Sequence, residues 1–188
     1  MPAAKLITER EFKRALAYCG TRRHSVRDQT ILHLSYHAGL RACELAALTM
    51  GNVYNTDGSV KSTVTLLSSQ TKGSRSRTFY VNQRLQRQLA EYKNKRLFRA
   101  EHDPLFQTQQ GGHFSANTMS QLFLIIYSAA GLEGCSSHSG RRSFITRLAD
   151  QGVAVHLLAA LAGHRSIQTT QRYITVNDAL LARAVELA

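Results

Sequence analysis

The hydrophobic pattern of this chain changes from helical to extended in a single stretch, residues 51–81. Elsewhere apolar residues recur at intervals of three and four behind polar capping residues, which predicts a series of helices. Within the stretch, β-branched residues predict strands at Thr63–Leu67 and Thr78–Val81 around a glycine-containing turn. We therefore expect an α+β fold, mostly helical, with a small antiparallel β-sheet on one edge. The 188-residue length and the apolar fraction of 43% favour one domain.

Capping signals give the bounds of the predicted helices. Thr8 and Glu11 form a capping box, so a helix begins at Thr8 and runs to about Cys19. Ser25 and Asp28 repeat this signal for a second helix, which Gly39 ends. Further helices are predicted around Glu44, after Asn82, after Ser115, from His138, over Val155–Ala162, from Ser166 to Tyr173, and from Asn177. In the helix after Ser115 the residues expected to face inward are Met119, Leu122, Phe123, Ile126 and Tyr127. In the helix from His138 they are Phe144, Ile145 and Leu148.

Composition limits the functional classes. Lys and Arg number 24 against 12 acidic residues, and the net charge of +12 indicates a polyanionic partner, with nucleic acid the first candidate. The three cysteines lie far apart, which argues against a disulfide framework or a zinc site. The start of the chain has no apolar core of signal-peptide length, and no run approaches the length of a membrane span, so we expect a cytoplasmic protein with no membrane partner.

The chemically informative residues concentrate between 137 and 175. His138 and Arg141 are three positions apart and share one helix face. Together with Arg41, which follows a helix end, Arg141 can hold both non-bridging oxygens of a phosphodiester and stabilise charge in a pentavalent transition state. His138 and His164 lack partners at metal-ligand spacing, so neither a metal nor another cofactor is expected.

Tyr173 is the candidate nucleophile, and its phenol needs help from neighbouring cations or a base. Lys72, in the predicted turn, is a candidate acid for an alkoxide leaving group. Each residue taken alone also has an ordinary interpretation. A tyrosine on a helix is commonly a half-buried packing residue, His164 is commonly a capping residue, and a turn lysine is commonly an exposed charge.

Taken together, these segments resemble the catalytic domain of the tyrosine recombinase (phage integrase) family over nearly the whole chain. HAGLRACELAALT resembles the first arginine motif, with Arg41 and its structural companion Glu44, and TKGSRSRTFYV resembles the hairpin with the catalytic lysine. HSGR resembles the His-x-x-Arg box, and LAGHRSIQTTQRYI resembles the Gly-His and nucleophile motifs. Gly140 and Arg142 depart from the family pattern, which usually has an apolar residue and a second histidine there.

The resemblance implies a site-specific DNA recombinase that cleaves and rejoins DNA through a 3′-phosphotyrosyl intermediate without metal or ATP. Type IB topoisomerase-like relaxation and a catalytically inactive DNA-binding regulator are the alternatives. Integration, excision, inversion and resolution are all compatible with these motifs. The implied roles are nucleophile for Tyr173, phosphate binding for Arg41 and Arg141, hydrogen bonding to the same oxygens for His164, acid–base support for His138, leaving-group protonation for Lys72, and DNA contact for Arg75, Arg77 and Arg142.

The implied partners are double-stranded DNA, further copies of the chain forming a homo-oligomer (a tetramer on synapsed DNA), and an accessory DNA-bending protein. Residues 1–188 are expected to form a single catalytic domain without an N-terminal core-binding domain, because the first predicted helix already belongs to the catalytic domain. The helix over 177–188 has an apolar face that either is exchanged between protomers or packs on its own domain.

Overall fold

The computed structural model describes residues 4–71, 75–95, 100–174, 181–182 and 185–186. In this part of the chain the fold is mostly helical with one two-stranded antiparallel sheet, so the predicted fold class is confirmed. The helices are α1 (Glu9–Gly20), α2 (Ser25–Ala38), α3 (Ala42–Ala47), α4 (Met50–Val53), α5 (Gln83–Asn94), α6 (Ala116–Ala129), α7 (Ser139–Asp150), α8 (Val155–Ala162) and α9 (Ile167–Gln171), and the strands are β1 (Thr63–Leu66) and β2 (Arg77–Tyr80).

Helix α2 is the centre of the domain, because it packs against α1, α3, α5 and α7. Nine of its 14 residues are buried, so it has no broad solvent-facing side. The ring of Tyr36 in α2 stacks on Phe12 of α1 with 3.9 Å between centroids. Gly39 ends the helix with a φ of 65°, a left-handed conformation that glycine adopts without steric strain. The chain therefore turns sharply before Arg41.

The predicted capping box of α1 is confirmed. The Thr8 hydroxyl accepts a hydrogen bond from the Glu11 backbone N–H at 3.2 Å, and the Glu11 carboxylate accepts one from the Thr8 backbone N–H at 2.9 Å. Asn82 and Ser115 cap α5 and α6 as expected. These interactions satisfy backbone donors that have no partner inside a helix.

The second predicted capping box is wrong. Helix α2 begins after His24, whose side chain makes no capping hydrogen bond. Asp28 is fully buried and accepts from Arg22 Nε at 2.7 Å and from Arg27 Nε at 2.9 Å. A carboxylate held between two guanidinium groups inside the domain is stabilised by these ion pairs and is not available to the helix end.

Strands β1 and β2 pair with Thr63 opposite Tyr80 and Leu66 opposite Arg77, so the predicted sheet is confirmed with bounds shifted by one residue. The connection between them contains a short 3₁₀ turn at Ser68–Gln70. The Gln70 amide donates to the Ala47 carbonyl at 2.7 Å, which ties the connection to the end of α3.

Helix α7 presents a small, polar face to α2. Ile145 is buried as predicted, but Phe144 and Leu148 are only partly buried. A Cβ atom on Gly140 would lie 2.5 Å from Ser35 Oγ and 3.2 Å from the Ser35 carbonyl carbon. The glycine therefore permits the close approach of the two helices, which explains the departure from the family pattern.

Helices α8 and α9 pack against each other and lead to Tyr173, which lies in the turn after α9. Gly163 ends α8 in the left-handed conformation, and Ser166 caps α9, both as predicted. The predicted helix over 177–188 lies largely outside the described residues, so its packing or exchange stays a prediction. Among the described residues, none forms a helix with the length and apolar character needed to cross a membrane.

Candidate active site

Five of the six predicted catalytic residues line one cleft of about 730 Å³. They come from the α2–α3 junction, the start of α7, the end of α8 and the turn after α9, so the fold brings together positions far apart in the sequence. The sixth, Lys72, lies outside the described residues. The five predicted residues among its lining are Arg41, His138, Arg141, His164 and Tyr173.

Arg141 is held between two helix ends. Its Nη1 donates to the Gly39 carbonyl at 2.7 Å and its Nη2 donates to the Ala162 carbonyl. These carbonyls lie at the carboxyl ends of α2 and α8, where the helix dipoles give partial negative charge. Burial, together with the nearby Arg41 and Arg77, lowers the pKa of Arg141 to about 9. The guanidinium is thus fixed, buried and still charged at neutral pH.

Arg41 is oriented by a carboxylate from the next helical turn. Its Nη1 donates to Glu44 Oε1 at 2.8 Å, and its backbone N–H donates to Oε2 at 2.8 Å. Glu44 is fully buried, whereas the Arg41 side chain keeps 23% of its surface exposed. A buried carboxylate therefore fixes a guanidinium that remains accessible from the cleft.

His164 is neutral at pH 7. Burial, followed by the charges of Arg141, Arg41 and Arg77, lowers its pKa to about 4. Its Nδ1 lies 2.8 Å from the hydroxyl of Thr170, which is fully buried. When the hydroxyl donates to Nδ1, the proton of the imidazole is on Nε2, and this nitrogen is then a hydrogen-bond donor.

The phenol ring of Tyr173 lies parallel to the His164 imidazole. The ring centroids are 5.8 Å apart and the planes differ by 20°. Tyr173 also lies close enough to Arg141 for the charge of the phenolate form to raise the pKa of that guanidinium. His138 is exposed at the N-terminus of α7, and its Nδ1 is 3.3 Å from Ser137 Oγ.

All three predicted DNA-contact residues line clefts, Arg142 the first cleft and Arg75 and Arg77 a second one. Arg75 is exposed, and the second cleft, of about 630 Å³, lies between the hairpin and α8. Arg142 lines the first cleft, beside Arg141, and its Nη1 also donates to the Ala4 carbonyl at 2.5 Å. Arg41 and His164 line both clefts, so the two clefts adjoin.

Arg77 does not lie at an exposed tip, and that part of the prediction is wrong. It is only 9% exposed, and its Nη2 donates to Glu44 Oε2 at 3.0 Å. Alternation along β2 puts Arg77 on the same inward face as Phe79, which is also buried. This alternation was the available sequence signal for burial. Arg77 also lines the second cleft with Arg75, and its contact with DNA stays a prediction.

Sequence reasoning missed two residues of the site, one behind His164 and one in the cleft. Thr170 holds the His164 ring, and the exposed Arg172 lines the cleft beside Tyr173. Both lie within the TTQRYI segment, so their proximity to the candidate nucleophile was the signal.

Comparisons with known proteins agree with this geometry. A model described as the phage integrase family matches residues 5–179. Tyrosine recombinase XerD of Neisseria meningitidis serogroup B is 30% identical over 186 residues, which cover 96% of this chain and 62% of that protein. Tyrosine recombinase XerA of Pyrococcus furiosus is 30% identical over 188 residues, which cover 98% of this chain and 62% of that protein. The chain thus spans less than two thirds of the length of these curated relatives.

Solved structures share the fold. The crystal structure of XerA recombinase has a TM-score of 0.78 at 23% identity, and the match covers 100% of this chain and 66% of that one. The Tn1549 transposon integrase in complex with circular intermediate DNA has a TM-score of 0.76 at 19% identity, and the match covers 100% of this chain and 68% of that one. The catalytic domain of bacteriophage HP1 integrase has a TM-score of 0.70 at 21% identity, and the match covers 98% of this chain and 95% of that one.

Proposed function

The chain belongs to the phage integrase family, and from this premise we propose that it acts in site-specific DNA recombination. It cleaves and rejoins DNA through a 3′-phosphotyrosyl intermediate, and neither metal nor ATP takes part. The observation that carries the proposal is the parallel contact of Tyr173 with His164, 5.8 Å between centroids, in a cleft that also contains Arg41 and Arg141. A phenol, a neutral imidazole and two guanidiniums around one cavity fit a phosphodiester.

Cleavage is a transesterification at phosphorus. The Tyr173 phenol gives its proton to the acid–base group, in this proposal His138, as its oxygen attacks the scissile phosphate. The bond from phosphorus to the 5′ oxygen breaks, and a 3′-phosphotyrosyl ester forms. Lys72, whose role rests on its motif, gives a proton to the departing 5′ oxygen, because an alkoxide is a poor leaving group. The energy of the broken ester is kept in the new one, so no nucleotide hydrolysis is required.

The charged groups stabilise the transition state. Arg41 and Arg141 bind the non-bridging oxygens, and His164 donates to the same oxygens through Nε2. Glu44 forms ion pairs with Arg41 and Arg77 and lies close enough to Arg141 for its charge to raise the pKa of that guanidinium, so these four groups together carry two net positive charges. His138, at the rim of the cleft, acts in acid–base support.

Strand exchange follows when the 5′-hydroxyl of another strand attacks the phosphotyrosyl ester. This step needs two cleaved duplexes, so the proposed assembly is a tetramer on synapsed double-stranded DNA in the cytoplasm, with an accessory DNA-bending protein as a further candidate partner. The DNA in the Tn1549 integrase structure supports the choice of substrate. We further propose that residues 1–188 act as one catalytic domain, which the match to the HP1 catalytic domain supports.

A suicide substrate tests this function. Duplexes trapped on the protein in cells are sequenced, rebuilt with a nick beside the cleavage site, and incubated with the protein in EDTA without ATP. We expect a covalent protein–DNA band on a denaturing gel, and Tyr173→Phe should abolish it. Binding without a band would favour the regulator, and relaxation of a supercoiled plasmid lacking the site would favour topoisomerase-like activity. The relatives named above are recombinases and integrases, which favours exchange over relaxation.

A further inference from the structure

Arg77 connects the hairpin to the two parts of the fold that carry the phosphate-binding groups. It lies on β2, and its guanidinium reaches α3 through Glu44 and the end of α8 through the Leu161 carbonyl. The first contact is 3.0 Å and the second is 2.7 Å. These elements are otherwise separated by long stretches of chain, so Arg77 is a cross-link between them.

On the α3 side, Arg77 and Arg41 share one carboxylate. Glu44 Oε1 accepts from Arg41 Nη1, and Oε2 accepts from both the Arg41 backbone N–H and Arg77 Nη2. A carboxylate has few rotamers left when both oxygens are engaged. Removing Arg77 frees one side of Glu44 and thereby loosens the group that orients Arg41.

On the α8 side, two guanidiniums bind consecutive carbonyls. Arg77 binds Leu161 and Arg141 binds Ala162, immediately before Gly163 and His164. Gly163 has a φ of 62°, and a Cβ atom there would lie 2.6 Å from Arg77 Cδ. The glycine of the Gly-His motif therefore gives room to Arg77 as well as ending the helix. The backbone that presents His164 is thus packed directly against the Arg77 side chain.

A purely structural role does not explain a guanidinium at this position. Replacing a buried ion pair by apolar residues of similar volume is often neutral or stabilising. Arg77 also has a buried Nε without a hydrogen-bond partner among the described residues, which is unfavourable. The inward position next to Phe79 would suit an aliphatic side chain, so the charge and the two directed contacts need another reason.

We infer that Arg77 is a positioning residue for DNA cleavage, which fixes Arg41 through Glu44 and fixes His164 through the end of α8. Because β2 follows Lys72 by five positions in the sequence, Arg77 also couples this strand to the phosphate pocket. This inference rests on the proposed function. It assigns Arg77 no contact with DNA.

Single-turnover cleavage of the suicide substrate tests the inference with Arg77→Gln, Arg77→Lys and the matched control Arg87→Gln, which makes the same change at an exposed position on α5. Because Arg77→Gln removes charged hydrogen bonds, we expect its single-turnover cleavage rate to fall by about tenfold to hundredfold. A lysine keeps the charge but cannot span both partners, so Arg77→Lys should be intermediate. The Kd of the uncleaved complex should change by less than about threefold. Arg87→Gln should match the wild type.

A double-mutant cycle and a spectroscopic readout separate positioning from general destabilisation. Because part of the Arg77 effect passes through Glu44, the Glu44→Gln/Arg77→Gln protein should cleave faster than the product of the two single effects predicts, whereas fully multiplied effects would overturn the inference. The Arg41 Nε–H signal in ¹⁵N NMR spectra should shift or broaden in Arg77→Lys, compared at temperatures where thermal unfolding shows the protein to be folded. An unchanged signal or wild-type cleavage would also overturn it. A wild-type protein that forms no covalent product contradicts the proposed function instead, and the NMR readout still decides the role of Arg77.

Discussion

Replacing Gly140 by alanine tests whether the close packing of α7 on α2 holds the catalytic cleft. The new Cβ would lie 2.5 Å from Ser35 Oγ, 3.1 Å from Ser35 Cβ and 3.2 Å from the Ser35 carbonyl carbon. The hydroxyl can rotate away, but the other two atoms belong to the core of α2, so the helices must separate slightly. Arg141 is the next residue, and its hydrogen bonds to Gly39 and Ala162 cross this part of the structure.

The magnitude follows from two opposing effects. Overpacking of a close contact costs about 1–3 kcal/mol. Replacing a helical glycine by alanine raises the unfolding free energy by about 0.5–1 kcal/mol, because alanine leaves the unfolded chain fewer conformations than glycine does. We therefore expect Gly140→Ala to lose about 0.5–2 kcal/mol of unfolding free energy, which corresponds to a Tm lower by about 1–8 °C for a domain of this size. Cleavage should fall by about tenfold, since displacement of α7 lengthens the Arg141 hydrogen bonds.

Circular dichroism gives the Tm, and single-turnover cleavage of the suicide substrate gives the rate. Ser35→Ala removes only the hydroxyl and keeps the Cβ and carbonyl carbon that force the helices apart, so Ser35→Ala/Gly140→Ala should recover only a small part of the lost Tm. Gly20→Ala is the control, because its Cβ would meet only Gln29 Nε2 at 3.7 Å, and its Tm should not fall. A Gly140→Ala protein with the Tm and cleavage rate of the wild type would refute the reasoning.

Three further predictions concern the site and the core. Thr170→Val removes the hydroxyl beside His164 Nδ1 and should slow single-turnover cleavage by about threefold to tenfold, with the Kd for DNA unchanged in a filter-binding assay. Arg75→Gln should lower the slope of log Kd against log salt concentration by about 0.9, as expected for one lost phosphate contact. Burial lowers the pKa of His33 to about 4 and of His37 to about 3, so the unfolded chain takes up protons below about pH 6.5 that the folded chain does not. The unfolding free energy in urea should fall by roughly 2–4 kcal/mol between pH 7 and pH 5, and less in a His33→Gln/His37→Gln protein.

Helices whose signals are local could be predicted from the sequence. A capping residue and the backbone donor it satisfies lie within one turn, so Thr8, Asn82 and Ser115 mark the starts of α1, α5 and α6 correctly. Apolar spacing likewise predicts the inward face of α6, because one side of that helix meets the core. Its buried residues are those expected: Met119, Leu122, Phe123, Ile126 and Tyr127.

The errors concern charged residues that the fold buries. Asp28 was interpreted as a capping residue and Arg77 as an exposed contact, because local rules assign charges to the surface. Asp28 is instead enclosed with two arginines, and Arg77 reaches Glu44, which lies 33 positions earlier. Tertiary ion pairs of this kind cannot be identified from the spacing of neighbouring residues. The alternation with Phe79 did contain the signal for the burial of Arg77.

The motifs predicted which side chains form the candidate site, but not what holds them. Arg141 is fixed by two backbone carbonyls, and every residue except proline carries the same donor and acceptor. The partner of such a bond is therefore set by where two helices end in space. Gly39 and Gly163 mark those ends in the sequence, yet only the packing of α2, α7 and α8 brings them to one guanidinium.

In the proposed reaction, the charge balance of the cleft favours the transition state over a bound phosphodiester. Burial and mutual repulsion lower the pKa values of Arg141 and His164, which means that positive charge in the empty cleft is unfavourable. A phosphodiester supplies one negative charge and relieves part of this repulsion, and the pentavalent species supplies more, so it is bound more strongly. Glu44 limits the repulsion among the three nearby guanidiniums, because its charge offsets one of theirs. It also fixes two of them, Arg41 and Arg77, through ion pairs. A second carboxylate would repel the phosphate, and without Glu44 the guanidiniums would repel one another and lose their orientation.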